Sequence, residues 1–183
     1  MSGIVSLQGS LLVASPALRD PNFRRTVVLL TEHDAEAAMG VVLNRRLEIA
    51  VVDAVPVLAG LVEDGARVFE GGPVQAGSVL ALADFREPSQ SAALAFGSVG
   101  YLRGDEDSAD LVGDVTAVRV FSGYSGWGPG QLEAELEQEA WITLPALVDD
   151  VFGDPEGLWG RVLARMGGRY RFVAQMPDDP SLN

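Results

Sequence analysis

Short runs of branched and aromatic residues punctuate the chain at Ser10–Ala14, Thr26–Thr31, Gly40–Asn44, Arg67–Glu70, Ser78–Asp84, Asp114–Ser122, Trp141–Leu144 and Tyr170–Ala174. Most are too short and too β-branched for helices and predict strands. Between them lie turn signals at Asp20-Pro21-Asn22, Gly71-Gly72-Pro73 and Glu87-Pro88-Ser89, where Pro presets φ and Gly reaches conformations that other residues avoid. The pattern predicts meander-like β structure.

The spacing changes toward the second half. Leu158, Trp159, Val162, Leu163 and Met166 recur at helical intervals after Asp154-Pro155-Glu156, which reads as an Asp N-cap followed by Pro at the first helical position. Gly167-Gly168 ends that helix. Pro145–Phe152 predicts a shorter one, with Leu147, Val148, Val151 and Phe152 inward and Gly153 at its end. Pro129 opens a third, with Leu132 and Leu136 one turn apart. Glu48–Val62 is apolar and helix-like, but Pro56 would break or kink it. Strands dominate the first two-thirds and helices the last third without βαβ alternation, so an α+β arrangement is expected. Gly104–Asp110 reads as an acidic mobile loop and Met176–Asn183 as a loose tail.

Composition narrows the chemistry. A chain of 183 residues that is 48% hydrophobic can build one core, so a single domain over residues 1–183 is expected. The formal charge of −13, from 26 acidic against 13 basic residues, repels phosphate backbones and opposes direct nucleic-acid binding. Every basic residue is arginine; without lysine there is no Schiff base, pyridoxal anchor or phosphate-loop lysine. Without cysteine there is no disulfide, thiolate metal site or thiol nucleophile. No basic leader precedes the first strand and no apolar run approaches membrane-helix length, so the chain reads as soluble and cytoplasmic, with no membrane association.

The densest candidate for chemistry is Phe121–Glu135, where a strand ends near Ser122 and glycines with Tyr124 and Trp127 form a turn before the helix. Free N–H groups in such a turn could cradle an anion, but Glu133 and Glu135 already complement the positive helix end. The alternatives are a structural lock of helix onto sheet and a partner-binding surface. Arg19, Asp20, Asn22, Asn44 and Arg45 form a second group, because two strand-flanking loops each bring an Arg and an Asn, a set suited to a polar ligand or to self-bonded turns. The single histidine, His33, reads as an exposed loop residue, and Ser122-Gly-Tyr-Ser125 is no nucleophile elbow. Asp105, Glu106, Asp107 and Asp110 lack the spacing of a calcium loop, and Gly71-Gly72-Pro73-Val74 lacks the rest of a dinucleotide motif.

Gly123–Trp127 followed by Gly130–Glu133 resembles the signature of the YqgE/AlgH family of bacterial proteins: Gly-Tyr-(Ala/Ser)-Gly-Trp, a short spacer, then Gly-Gln-Leu-Glu. Further matches run in order through Gly9–Ala14, Pro21–Phe23, Thr26–Leu30, Gly40–Asn44, Gly71–Val74 and Pro180–Asn183. Ser125 replaces the commoner Ala, and Arg45-Arg46 stands where Arg-Pro is usual. The resemblance implies a bent, partly barrel-like, mainly antiparallel sheet flanked by helices. It implies little about activity, although some members carry a transcriptional-regulator label.

The expected function is a non-enzymatic binding or regulatory domain, reaching transcription indirectly through a partner. It would engage an unknown protein or small polar ligand through Tyr124, Trp127, Gln131 and Glu133 and through the Arg19, Asp20, Asn22, Asn44 and Arg45 loops. No cofactor or metal is expected. The alternative is a hydrolase-type enzyme using Glu133 or Glu135 with Arg or Asn groups on a phosphate- or amide-containing substrate; these two carboxylates, two residues apart on a helix, would point to different sides.

Overall fold

A computed structural model of the chain describes residues 4–103 and 108–177. The Asp105–Asp107 acids, most of the expected tail and the Pro180–Asn183 match lie outside the described residues. The strands are β1 Ser10–Ala14, β2 Val27–His33, β3 Ala38–Val42, β4 Arg46–Ala50, β5 Arg67–Glu70, β6 Val74–Phe85, β7 Ala93–Phe96, β8 Val99–Tyr101, β9 Val115–Trp127 and β10 Trp141–Pro145. The helices are α1 Val51–Ala54, α2 Ser108–Leu111, α3 Gln131–Glu137, α4 Val148–Phe152, α5 Leu158–Met166 and α6 Tyr170–Val173.

The strands form one curled sheet in the order β10-β1-β2-β3-β9-β6-β8-β7, with β4 and β5 attached beside β9. All pairings among named strands are antiparallel except β5 with β9. The α+β expectation holds, and β1-β2-β3 is the meander expected from the turn signals. It is interrupted where β9, far along the chain, pairs with β3.

The continuous apolar runs of β1 and β2 have a physical reason. Leu11, Val13, Val27 and Leu29 face a core completed by Val151, Leu158, Trp159, Val162 and Leu163 of α4 and α5. Leu12, Ala14, Val28 and Leu30 face a second core with Trp127, Leu132 and Trp141. A strand covered on both faces needs hydrophobic residues at successive positions, not alternating ones. The Trp159 indole N–H donates to the Ala14 carbonyl at 2.8 Å and fixes α5 against β1.

Three local expectations change, and a fourth, the break at Pro56, holds. Tyr170–Val173 is helix α6, not a strand: its residues close helical turns after Gly167-Gly168 and have no ladder partner. The α5 helix begins at Leu158 with Gly157 as N-cap; Asp154 instead accepts the Glu156 N–H in a turn, at 3.0 Å. In α4, Val151 is buried, while Leu147 and Val148 are exposed. Glu48–Val62 divides into the end of β4, the single turn α1 and a 3-10 segment Pro56–Leu61, because Pro56 cannot continue the α-helical ladder.

The largest change concerns Phe121–Trp127. It is not a turn: β9 runs on to Trp127 and pairs with β3 through Gly40, Met39 and Ala38. Gly123, at φ 70°, lets the strand bend between its β6 and β3 pairings. A Cβ at Gly71 would strike the Gly123 carbonyl, so the two glycine motifs of the sequence are one crossing point of two backbones.

Candidate functional site

The C-terminal end of β9 delivers Trp127 into an aromatic cluster. Its ring lies 6.1 Å from Phe23, roughly stacked, and 6.1 Å from Trp141, edge-on; Phe23 and Trp141 meet at 5.5 Å. Both indole N–H groups donate to one oxygen of Glu135, at 2.9 Å from Trp127 and 2.8 Å from Trp141. Gln131 donates to the other Glu135 oxygen at 3.1 Å and accepts the Gly128 N–H at 3.1 Å. Trp127 is 4% exposed, which corrects the expectation of an exposed aromatic. Tyr124 is half-buried against the first core.

His33 is also corrected. It is the last residue of β2 and only 7% exposed. The Leu7 N–H donates to its Nδ1 at 2.9 Å, and its Nε2 meets Glu133 Oε1 at 2.8 Å. An acceptor at Nδ1 places the ring proton on Nε2, so His33 donates to the carboxylate. Its own backbone N–H and the His33 donor hold the Glu133 carboxyl below the usual range. The pair has the look of a catalytic dyad, but both ring nitrogens are committed. As expected from their spacing, Glu133 and Glu135 serve different partners.

The second group of residues is similarly engaged. Asp20 Oδ1 accepts the Asn22 N–H at 2.9 Å, and the Asp20 carbonyl accepts from Phe23 and Arg24. Arg45 donates to the carbonyls of Asn22 at 2.7 Å, Pro21 at 2.8 Å and Arg24 at 3.3 Å. Asn44 accepts the Val27 N–H and donates to the Arg25 carbonyl, both at 2.9 Å, clasping a residue with φ 54°. These bonds shape the loop before β2. Arg19 lines a 330 Å³ cleft with Ser15, Arg24, Arg25 and Met176, whereas Asn44 lines a 580 Å³ cleft with Arg25, Trp159 and Arg161. Neither of these two clefts is lined by Tyr124 or Trp127.

The other end of β9 borders a cleft that sequence reading missed. Thr116–Val120, β5 and the loop after the 3-10 segment enclose about 320 Å³, with Arg46, Arg67 and Arg119 in its lining. Arg119 lies over the Phe69 ring at 4.4 Å and its Nη2 donates to the carbonyls of Phe152 at 3.2 Å and Gly153 at 2.9 Å. Its Nη1 is buried, with no hydrogen-bond partner among the described residues. Burial pushes this guanidinium down to about 10, opposed by nearby Asp154 and reinforced by Arg46. The available signal was an arginine inside an apolar strand, Val118-Arg119-Val120. Among the described residues no group of three or more His, Asp or Glu side chains could hold a metal, and no helix is long and apolar enough to cross a membrane.

Comparison with known proteins places this geometry in context. Residues 11–171 match the AlgH-like family. A UPF0301 protein of Streptomyces coelicolor is 44% identical over all of this chain and 98% of its own length. A UPF0301 protein of Thermobifida fusca is 46% identical over 98% of this chain and 96% of its own. The crystal structure of a Corynebacterium diphtheriae protein superposes with a TM-score of 0.88 at 26% identity, covering 96% of this chain and 95% of that one. The solution structure of the AlgH protein from Pseudomonas aeruginosa gives 0.71 at 29% identity, covering 98% of each chain.

Proposed function

The chain belongs to the AlgH-like family, and from that premise we propose that it is a non-enzymatic binding protein that takes its ligand in the cleft between β4, β5 and β9. Any effect on transcription passes through a protein partner, because a formal charge of −13 opposes contact with nucleic acid.

The observation that carries this reading is the contrast between committed and uncommitted polar groups. Trp127, Glu135, Glu133, Gln131, Asn44 and Arg45 all spend their hydrogen bonds inside the chain. The cleft combines apolar walls from Val51, Phe69 and Val118 with arginine side chains, a concave lining more polar than apolar in which several polar groups converge.

Hydrogen exchange of the intact chain, with and without a mixture of small metabolites, tests the reading. Protection should gather on residues 62–69 and 116–120, and the bound compound should be recovered unchanged. Protection confined to another surface would move the site. Product formation abolished by Glu133→Gln would replace the binding reading with the hydrolase one.

A further inference from the structure

We infer that the β4–β5–β9 cleft is an oxyanion site, taking a small organic carboxylate or phosphate monoester with a short apolar body, held by Arg119, Arg46 and Arg67. This rests on the binding reading above and names the chemistry of its ligand.

The lining sets the terms. Arg46 and Arg119 line the same cleft, and Asp154 supports the Arg119 charge more than Arg46 opposes it. In a chain with twice as many acids as bases, a convergence of guanidinium groups at one cleft runs against the mean field. Like charges held together are offset by an anion between them.

Arg119 is the fixed element. Two carbonyls at the end of α4 and the Phe69 ring hold its guanidinium in place, so little side-chain freedom remains to be lost on binding. Its Nη1 is sealed from solvent and has no acceptor among the described residues. Arg119 therefore contributes its fixed positive charge to the cleft wall, and hydrogen bonds to a ligand come from Arg46 and Arg67.

Arg46 and Arg67 are the adaptable elements. The Arg46 pair with Glu156 is long, at 3.4 Å, and joins side chains 48% and 78% exposed, so an incoming anion can compete for it. Arg67 donates one bond to the Glu48 carbonyl at 3.0 Å and keeps further donors for a ligand. Glu63 and Asp64 also line the cleft, but both are solvent-exposed at the turn before β5. They oppose a large or highly charged anion more than a small one seated against Arg119. The apolar walls give the ligand its body: Val51, Leu61, Val62, Phe69 and Phe152 can cover a short alkyl or aromatic group.

Calorimetric titration of the full chain with phenyl phosphate, phenylacetate, inorganic phosphate and neutral phenylacetamide tests the inference. At least one organic oxyanion should bind saturably and lose affinity as salt rises. Arg46→Ala with Arg67→Ala should weaken it by about tenfold, as expected for losing charge-assisted hydrogen bonds. Arg119→Gln should abolish it, and Arg171→Ala on α6 should change nothing. Because Arg119→Gln also disturbs the end of α4, the Arg46/Arg67 double variant, whose side chains are exposed, decides the matter if the former fails to fold. Preference for phenyl phosphate or for phenylacetate assigns the phosphate or the carboxylate form, and either supports the site. Equal binding of phenylacetamide with the same exchange footprint would overturn the oxyanion inference and leave the binding reading standing. Failure of all four probes to bind, or oxyanion affinity unchanged in the double variant, would overturn the oxyanion inference.

Discussion

The two ends of strand β9 do opposite things. At its C-terminal end Trp127 enters a cluster in which both indoles share Glu135 and His33 is held between Leu7 and Glu133. At its other end Arg119 lines a solvent-open cleft, and its buried Nη1 has no partner among the described residues. The contrast teaches that the segment most recognisable in sequence spends its polar groups inside the fold, while the arginine of the proposed cleft lies in an otherwise ordinary apolar strand.

The contrast can be broken most severely at the scaffold end. Trp127→Ala removes a 4% exposed indole from between Phe23 and Trp141 and should cost about 3–5 kcal/mol in chemical denaturation. A loss below about 1 kcal/mol, the scale of an ordinary surface change, would mean that the cluster is not a lock. Glu135→Ala should follow, at about 1–3 kcal/mol for each indole N–H left without an acceptor, with Glu135→Gln losing less because it retains a carbonyl oxygen. Asn44→Ala strands the Val27 N–H and should cost about 1–3 kcal/mol, read as faster exchange at the start of β2.

Smaller effects sharpen the comparison. The Glu133 carboxyl sits below its usual range, so its contribution is present above the ordinary carboxylate range and lost as pH falls through its folded value. With the side chain 34% exposed, solvent screening limits that contribution to about 1 kcal/mol or less. Thermal melts of Glu133→Gln should therefore show a shallower acid limb and a small deficit at neutral pH. The least effect belongs to the cleft: Arg67→Ala should leave stability within about 0.5 kcal/mol of the parent, since its side chain is exposed. A large loss there would make Arg67 part of the scaffold and erase the difference between the two ends.

The fold was more legible than the site. Leu11–Ala14 and Val27–Leu30 read as strands because side chains buried on both faces leave an unbroken apolar run, and α5 read as a helix because only one face meets the core. Phe121–Trp127 misled because glycines usually mark turns; here they permit a strand to bend and another backbone to cross it. Tyr170–Val173 misled because a short aromatic run carries no period long enough to separate strand from helix.

Local pattern and composition determined by themselves that this chain is α+β, rich in strands, without thiol or lysine chemistry, and built around the family's glycine-aromatic signature. Only the tertiary structure decided which polar groups are spent. His33 and Glu133 stand 100 positions apart in sequence yet form one hydrogen bond, and Arg46, Arg67 and Arg119 meet at one cleft from three strands. Hydrogen bonds and charge act over a few ångströms of space, and that distance is set by how the sheet curls, which no single stretch of sequence encodes.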